Sequence, residues 1–310
     1  MRTSRHVLAL ALGALLAVGC SLDIRLGDGQ ARAIAGPDAG DEAGTEHADA
    51  GQVPTGFSKP HVIDALSDGS SIDDDPSLTS DLLEIYFDSK RDGGMGKEDI
   101  WSSERTDASM DWASPVAVEA LNSEDRETGI ALSADGLHVW FSSDRSESQG
   151  GLDVFTAQRK SRSDPWSDVT RVEELSTDDD DLVSAVNDGD TVCLLGRRPK
   201  GTDDYDMYFS TRASADDPWG APRAITELNT KANESDAFLV GEGHQLLFTR
   251  SKDLQLARRA ELEEPFTLVG ALTELNSSSD DRDPWATAEL GYVVFSSDRS
   301  GSYELYESSR

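Results

Sequence analysis

The residues of this chain that could do chemistry are acids at fixed spacing. Asp73, Glu127, Asp181, Glu234 and Asp281 each lie fourteen residues before an apolar anchor, namely Phe87, Phe141, Leu195, Phe248 and Phe295. Five carboxylates close together on a ring would raise one another's pKa, and a bound cation or cationic peptide would relieve that repulsion. A structural account is more economical. A carboxylate at a strand entry accepts N–H bonds from its own turn or from a neighbour, and a feature present in every repeat is explained by what every repeat needs. These five acids are the candidate binding ring under the first account and turn braces under the second. The runs Ile72-Asp73-Asp74-Asp75, Thr177-Asp178-Asp179-Asp180-Asp181 and Ser279-Asp280-Asp281-Arg282-Asp283 supply the hard oxygens that Ca²⁺ takes. None has EF-hand or nonapeptide spacing, so a solvated acidic loop is the simpler expectation, and no cofactor is assigned.

Signatures of catalysis are scarce, and no catalytic residue is assigned. There is no Gly-x-Ser-x-Gly, no His-Glu-x-x-His and no phosphate loop. His61, His138 and His244 fall in different units without metal spacing. Cys193 sits in an apolar run and reads as a buried, inert thiol. Trp112, Trp166 and Trp219 each precede a Leu by nine residues, an invariant offset that speaks for packing rather than sugar stacking. Asp144–Arg145 and Asp298–Arg299 read as turn-stabilising pairs, each worth about 0–1 kcal/mol if exposed.

Charge excludes whole classes of partner. With 28 Lys plus Arg against 60 Asp plus Glu, the net charge is −32. A nucleic-acid binder needs clustered cations to displace phosphate counterions, and docking on anionic lipid by charge needs the same. Two Cys among 310 residues cannot make a disulfide framework or a Cys-rich zinc site.

The elements that must position these residues repeat. The anchors are separated by 54, 54, 53 and 47 residues. Around each lies a short β-branched and aromatic run, such as His138-Val139-Trp140-Phe141 or Tyr292-Val293-Val294-Phe295, which reads as a strand. A Gly/Asp/Ser turn and a second strand follow, as at Asp153-Val154-Phe155. An aromatic-plus-Leu element comes next, and a small-residue turn such as Ser133-Ala134-Asp135-Gly136 precedes each anchor strand. Four strands per unit of this length point to blades around a channel. The last unit stops before its aromatic-plus-Leu element, and Phe57 with Leu66, nine residues apart ahead of the first unit, supplies it. The expectation is therefore an all-β, five-bladed β-propeller over 56–310, closed by an amino-terminal strand that completes the last blade.

The repeat resembles the WD40-like propeller repeat of TolB-type periplasmic proteins. Asp164-Pro165-Trp166 through Leu175 carries the resemblance, together with Ser133-Ala134-Asp135-Gly136 and Phe141-Ser142-Ser143-Asp144-Arg145-Ser146. It covers about 56–310. Unit three departs, with Gly196-Arg197-Arg198-Pro199 in place of the Ser-Asp-Arg end, and unit four carries Ala257 where an aromatic belongs. Folds of this kind host many activities, so the resemblance implies a propeller more than a role.

At the amino terminus, Arg2 and Arg5 precede the apolar run 7–18, the pattern of a secretory signal. Ala17-Val18-Gly19-Cys20 resembles the lipobox of bacterial lipoproteins, though Ala17 stands where Leu is preferred. The resemblance implies cleavage after residue 19 and lipidation of Cys20, and Ser21 after it implies the outer membrane, facing the periplasm or the cell surface. Loss of 1–19 removes two Arg and no acid, leaving −34. Residues 20–55 read as the lipidated Cys and a flexible acidic spacer, rich in Ala, Gly and Asp, with a reach on the order of 30 Å. The expected protein is a monomeric, non-enzymatic scaffold, bound to membrane only through its anchor, that presents an acidic face to an envelope protein or a cationic ligand. The alternative is a glycosidase-like five-bladed propeller working with carboxylates in a central pocket, or a sugar or Ca²⁺ binder without turnover. What fills the centre of the ring decides between them.

Overall fold

The computed structural model describes residues 51–187 and 189–310; the signal segment, Cys20 and most of the spacer lie outside them. Among the described residues there is no helix, and the strands form five four-stranded antiparallel sheets. Strand β1 (His61–Val62) comes first in the chain and joins the last sheet. The first blade holds β2 (Asp73–Leu78), β3 (Glu84–Ser89), β4 (Asp99–Glu104) and β5 (Val116–Ala117). The second holds β6 (Glu127–Leu132), β7 (His138–Ser143), β8 (Asp153–Gln158) and β9 (Ser167–Arg171). The third holds β10 (Asp180–Val186), β11 (Val192–Arg198), β12 (Asp206–Thr211) and β13 (Arg223–Ala224). The fourth holds β14 (Glu234–Val240), β15 (Gln245–Arg250), β16 (Asp253–Arg258) and β17 (Thr267–Ala271). The fifth holds β18 (Asp281–Ala286), β19 (Tyr292–Ser297) and β20 (Glu304–Ser309), with β1 as its outer strand.

The inner strands β2, β6, β10, β14 and β18 each pack on the next, and β18 returns to β2, so the ring is closed. The seam is the one the repeat offset requires: His61 pairs with Glu307 and Val62 with Tyr306, antiparallel.

The core is five slabs, one between each pair of blades. Each slab holds one anchor: Phe87, Phe141, Leu195, Phe248 or Phe295, all fully buried. This is why the anchor strands are apolar on both faces rather than alternating: each face meets a neighbouring blade. The Trp residues pack as expected, with the holes lying between blades rather than within one. The Trp166 indole donates to Tyr86 Oη of the preceding blade at 3.2 Å, the rings edge-on at 5.9 Å.

A second repeating device, not singled out in the sequence, pins the rim. Arg105, Arg159, Arg212 and Arg259 each stand seven residues before the aromatic of the outer segment and lie over its ring at 4.1–4.5 Å. Each Nε donates to the carbonyl of a left-handed residue in the inner hairpin turn: Leu82, Gly136, Asp190 or Gly243. The fifth copy crosses the seam. Arg310 lies over Phe57 at 5.5 Å and donates to Leu290 O.

Candidate axial cation site

The five acids read from spacing all stand at the entry of an inner strand, and all are fully buried. The structure does not bring them together. Each is held within its own blade by an Arg from the end of the anchor strand. Arg91 reaches Asp73 at 2.5 Å, Arg145 reaches Glu127 at 2.9 Å, Arg197 reaches Asp181 at 2.6 Å and Arg250 reaches Glu234 at 2.8 Å; Arg299 does the same for Asp281. Four of the acids also accept a backbone N–H from four residues earlier: Ser123 to Glu127, Thr177 to Asp181, Thr230 to Glu234 and Ser277 to Asp281. Four of the Arg go on to donate to a Leu carbonyl of the preceding blade, at Leu66, Leu121, Leu228 and Leu275. The belt is thus a set of separate bolts. Burial still pushes Asp73 up to about 6 despite Arg91.

Two sequence expectations are corrected by this geometry. Arg145 and Arg299 pair with the belt acids Glu127 and Asp281, not with the adjacent Asp144 and Asp298, which instead accept the backbone N–H of Arg126 and Asp280. The runs around Asp73 and Asp281 are not solvated loops. Asp73, Asp74, Asp281 and Asp283 are buried parts of inner strands, because the chain enters the channel wall there.

A different set of acids converges on the axis. Two residues after the belt acid, four of the five inner strands carry a left-handed residue: Asp75, Gly129, Asp236 and Asp283, with φ of 50, 60, 55 and 53°. Each opens a β-bulge whose two residues face the anchor Phe. Asp and Gly tolerate such a φ, whereas branched residues do not. The bulge turns the side chain inwards, and one carboxylate oxygen from each of Asp75, Asp236 and Asp283 lies within 4.8 Å of the others. Blade two cannot join them, since a Cβ at Gly129 would meet Leu182 Cδ1 at 2.6 Å and Val183 O at 2.7 Å. Blade three does not either; its bulge falls at Ser184, between the paired residues Val183 and Ala185. The site is therefore lopsided, built by blades one, four and five.

These acids line a cavity of about 220 Å³ at the end of the channel where the inner strands begin. Asp74 and Asp88 line it too, with Leu152, Leu182 and Tyr205 on the far side. Among the described residues, Arg126 and Arg282 bring the positive charge there. Arg282 spans from blade five to bind Asp74 of blade one, and Arg126 lies beside Glu98 and Asp144, at 3.7 and 4.0 Å. Arg282 Nε also lies 3.3 Å from Asp283 Oδ2, which leaves Asp75, Asp88 and Asp236 without an ion pair among the described residues. Asp75 Oδ2 accepts Gly129 N and Thr128 Oγ1, both at 2.8 Å, and the same hydroxyl lies 3.2 Å from Asp88 Oδ1.

The electrostatics follow from burial and like charge. Burial, then Asp75 and Asp74, push Asp88 well above the usual carboxylate range. Burial, then Asp236 and Asp75, do the same to Asp283, and burial with Asp75 brings Asp236 up to about 6. Burial opposes ionisation of Asp74 as well, yet the Arg282 guanidinium holds it below its ordinary value. The opposite end of the channel has another character. A cavity of about 280 Å³ at the ends of the inner strands is lined by Leu132, Val186, Leu239 and the tilted pair Phe238–Trp285.

Part of the axial set was visible in sequence. Asp75 and Asp283 lie in two of the acidic runs, but Asp236 stands alone in Glu234-Ser235-Asp236. Acid-x-Asp or acid-x-Gly at the strand entry was the available signal.

No protein-family model matches the chain, and no curated protein is similar to it in sequence. Among solved structures, the fold is similar to an endo-arabinase from Bacteroides thetaiotaomicron, with TM-score 0.53, 11% identity, and 79% of this chain and 96% of that one covered. It is also similar to an α-L-arabinofuranosidase from Lactobacillus brevis, with TM-score 0.50, 11% identity, and 79% and 93% covered. TolB from Acinetobacter baumannii matches with TM-score 0.45 and 13% identity over 76% of this chain. This chain spans about half the length of that TolB (54%). At such identities the likeness is one of fold, the five-bladed propeller expected from the repeat.

Proposed function

We propose that the protein is a non-enzymatic binding propeller, lipid-anchored at Cys20 in the bacterial envelope, whose axial pocket receives a cationic group. One observation carries this reading. Asp75, Asp236 and Asp283 bring three carboxylate oxygens within 4.8 Å of one another, while the guanidinium beside them, Arg282, is shared between Asp74 and Asp283. An array of like charges in a buried position is costly, and a bound cation removes the cost. The strongly acidic surface adds long-range attraction for the same class of ligand.

The propeller neighbours named for arabinan chemistry raise the enzymatic alternative. Against it stand the size of the pocket, about 220 Å³, below the ~300–1,000 Å³ of typical ligand sites, and the burial of Asp236 and Asp283. A glycan must pass between two carboxyl groups that flank its scissile bond; three acids crowded at one point leave it no such path.

The test is calorimetric titration of the intact protein with small cations, arginine amide among them, at low and high salt. Salt-sensitive binding that is lost in the Asp236→Asn, Asp283→Asn double variant supports the reading. Binding unchanged in that variant places the ligand elsewhere on the acidic surface. Turnover of an arabinan substrate that the variant abolishes would replace the reading with the enzymatic one.

A further inference from the structure

We infer that the cation of the axial pocket is a divalent metal of the calcium class, held by Asp75, Asp236 and Asp283 at the junction of blades one, four and five. The inference rests on the cation-binding reading above and narrows it. Geometry is the first argument. Oxygens on opposite sides of a Ca²⁺ ion, at about 2.3–2.6 Å from it, are about 4.6–5.2 Å apart. The three carboxylate oxygens lie within 4.8 Å of one another, close enough for one such ion to be shared among them with small side-chain adjustment. Mg²⁺ demands near-ideal octahedral geometry at about 2.0–2.1 Å and gives up its waters reluctantly, so a cluster of three protein carboxylates suits it less well.

The second argument is an orphaned hydroxyl. Thr249 lines the same cavity and is 2% exposed, yet its hydroxyl has no hydrogen-bond partner among the described residues. A buried polar group left unpaired costs about 1–3 kcal/mol. A metal ion with its shell of water gives this hydroxyl a partner, as ligand or as acceptor for a bound water. About 220 Å³ admits an ion together with several waters at about 30 Å³ each.

Donor chemistry and charge point the same way. All the groups offered are oxygens, the set preferred by Ca²⁺ and Mg²⁺ over softer metals. Asp75 has Oδ2 held by Gly129 N and Thr128 Oγ1, which fixes the direction of its carboxylate. A single ammonium or guanidinium would leave most of the carboxylate charge uncompensated, whereas a divalent ion halves it or better. Because the ligands come from the first blade and the last two, the ion ties the seam region together, and metal binding should stabilise the ring.

Intact protein, first treated with chelator, is titrated with CaCl₂, MgCl₂ and arginine amide by calorimetry and followed by thermal melting. The expected result is binding of one Ca²⁺ per chain, a Ca²⁺-dependent rise in melting temperature, and weaker binding of Mg²⁺. Asp236→Asn and Asp283→Asn should each weaken Ca²⁺ by about tenfold or more while melting no lower than the parent in chelator. Asp178→Asn, in an exposed loop, should bind Ca²⁺ unchanged. Tb³⁺ in place of Ca²⁺ gives a second readout: luminescence excited through Tyr205, which lines the pocket, and lost in Tyr205→Phe. Arginine amide binding without Ca²⁺ binding overturns this inference and leaves the cation reading standing. Ca²⁺ binding undiminished in both Asp→Asn variants overturns it as well, and binding of neither ligand overturns both readings.

Discussion

Two rings of acids lie two residues apart in this molecule and do opposite things. At the strand entries, Asp73, Glu127, Asp181, Glu234 and Asp281 occur in all five blades, and each is matched by its own Arg. At the bulges, acids occur in three blades only, as Asp75, Asp236 and Asp283, and face one another. The complete ring braces the blades, and the incomplete one forms the candidate site. Recurrence in a repeat protein therefore marks what each module needs in order to fold, and a break in the recurrence marks where one region is used. Gly129 is the clearest break: close contact with Leu182 and Val183 leaves no room there for a side chain.

The comparison can be tested from its largest expected effect downwards. Trp166 belongs to the complete set: it is buried, contacts Tyr86 of the neighbouring blade and lies under Arg159. Trp166→Ala should cost about 4 kcal/mol in denaturant unfolding and leave axial cation affinity intact in the folded protein; a loss of affinity at unchanged stability would put the ring in the site. Glu127→Gln leaves Arg145 without its buried carboxylate and should cost about 3 kcal/mol. Phe57→Ala removes a half-buried ring across the seam, together with its contact to Arg310, and should cost about 2 kcal/mol; no change would mean that the seam contributes nothing to ring closure. The smallest effect is at Cys193. It fills the slot two residues before the anchor that Ile85, Val139, Leu246 and Val293 fill elsewhere. It is fully buried, and burial pushes its thiol up to about 12. Folded protein at pH 8 should resist alkylation, with labelling only on unfolding; rapid labelling would show that the third blade opens.

The scaffold was legible because its rules are local and repeated. Anchors near every 54 residues, a nine-residue aromatic-to-Leu gap and acids fourteen before each anchor gave blade number, closure and the positions of the belt. Even so, spacing alone did not identify the partners. Arg145 reaches back to Glu127 instead of to Asp144 beside it, because the β6–β7 pairing of Glu127 with Ser143 brings the two ends together. The axial site was less legible for the same physical reason on a larger scale. Asp75 and Asp236 are 161 residues apart and meet only because a left-handed bulge turns each side chain inwards. Such a bulge leaves little trace in sequence beyond Asp or Gly before a short strand. The rim Arg are harder to read because an Arg seven residues before an aromatic lies outside both the strand and the turn patterns, and its partners come from a distant hairpin turn.

If the acids shared by every blade hold the fold while the acids of three blades form the site, one substitution made at two neighbouring positions will separate them. Asp281→Asn and Asp283→Asn change the same group by the same atom, and Asn tolerates the left-handed backbone at 283. Thermal and denaturant unfolding of the intact protein in chelator should show Asp281→Asn less stable by about 3 kcal/mol, since Arg299 loses its buried partner. Asp283→Asn should be no less stable than the parent, since it replaces a carboxyl whose ionisation burial, Asp236 and Asp75 oppose, and Arg282, which lies 3.3 Å from Asp283, keeps Asp74. Equal losses of stability at the two positions would contradict the account.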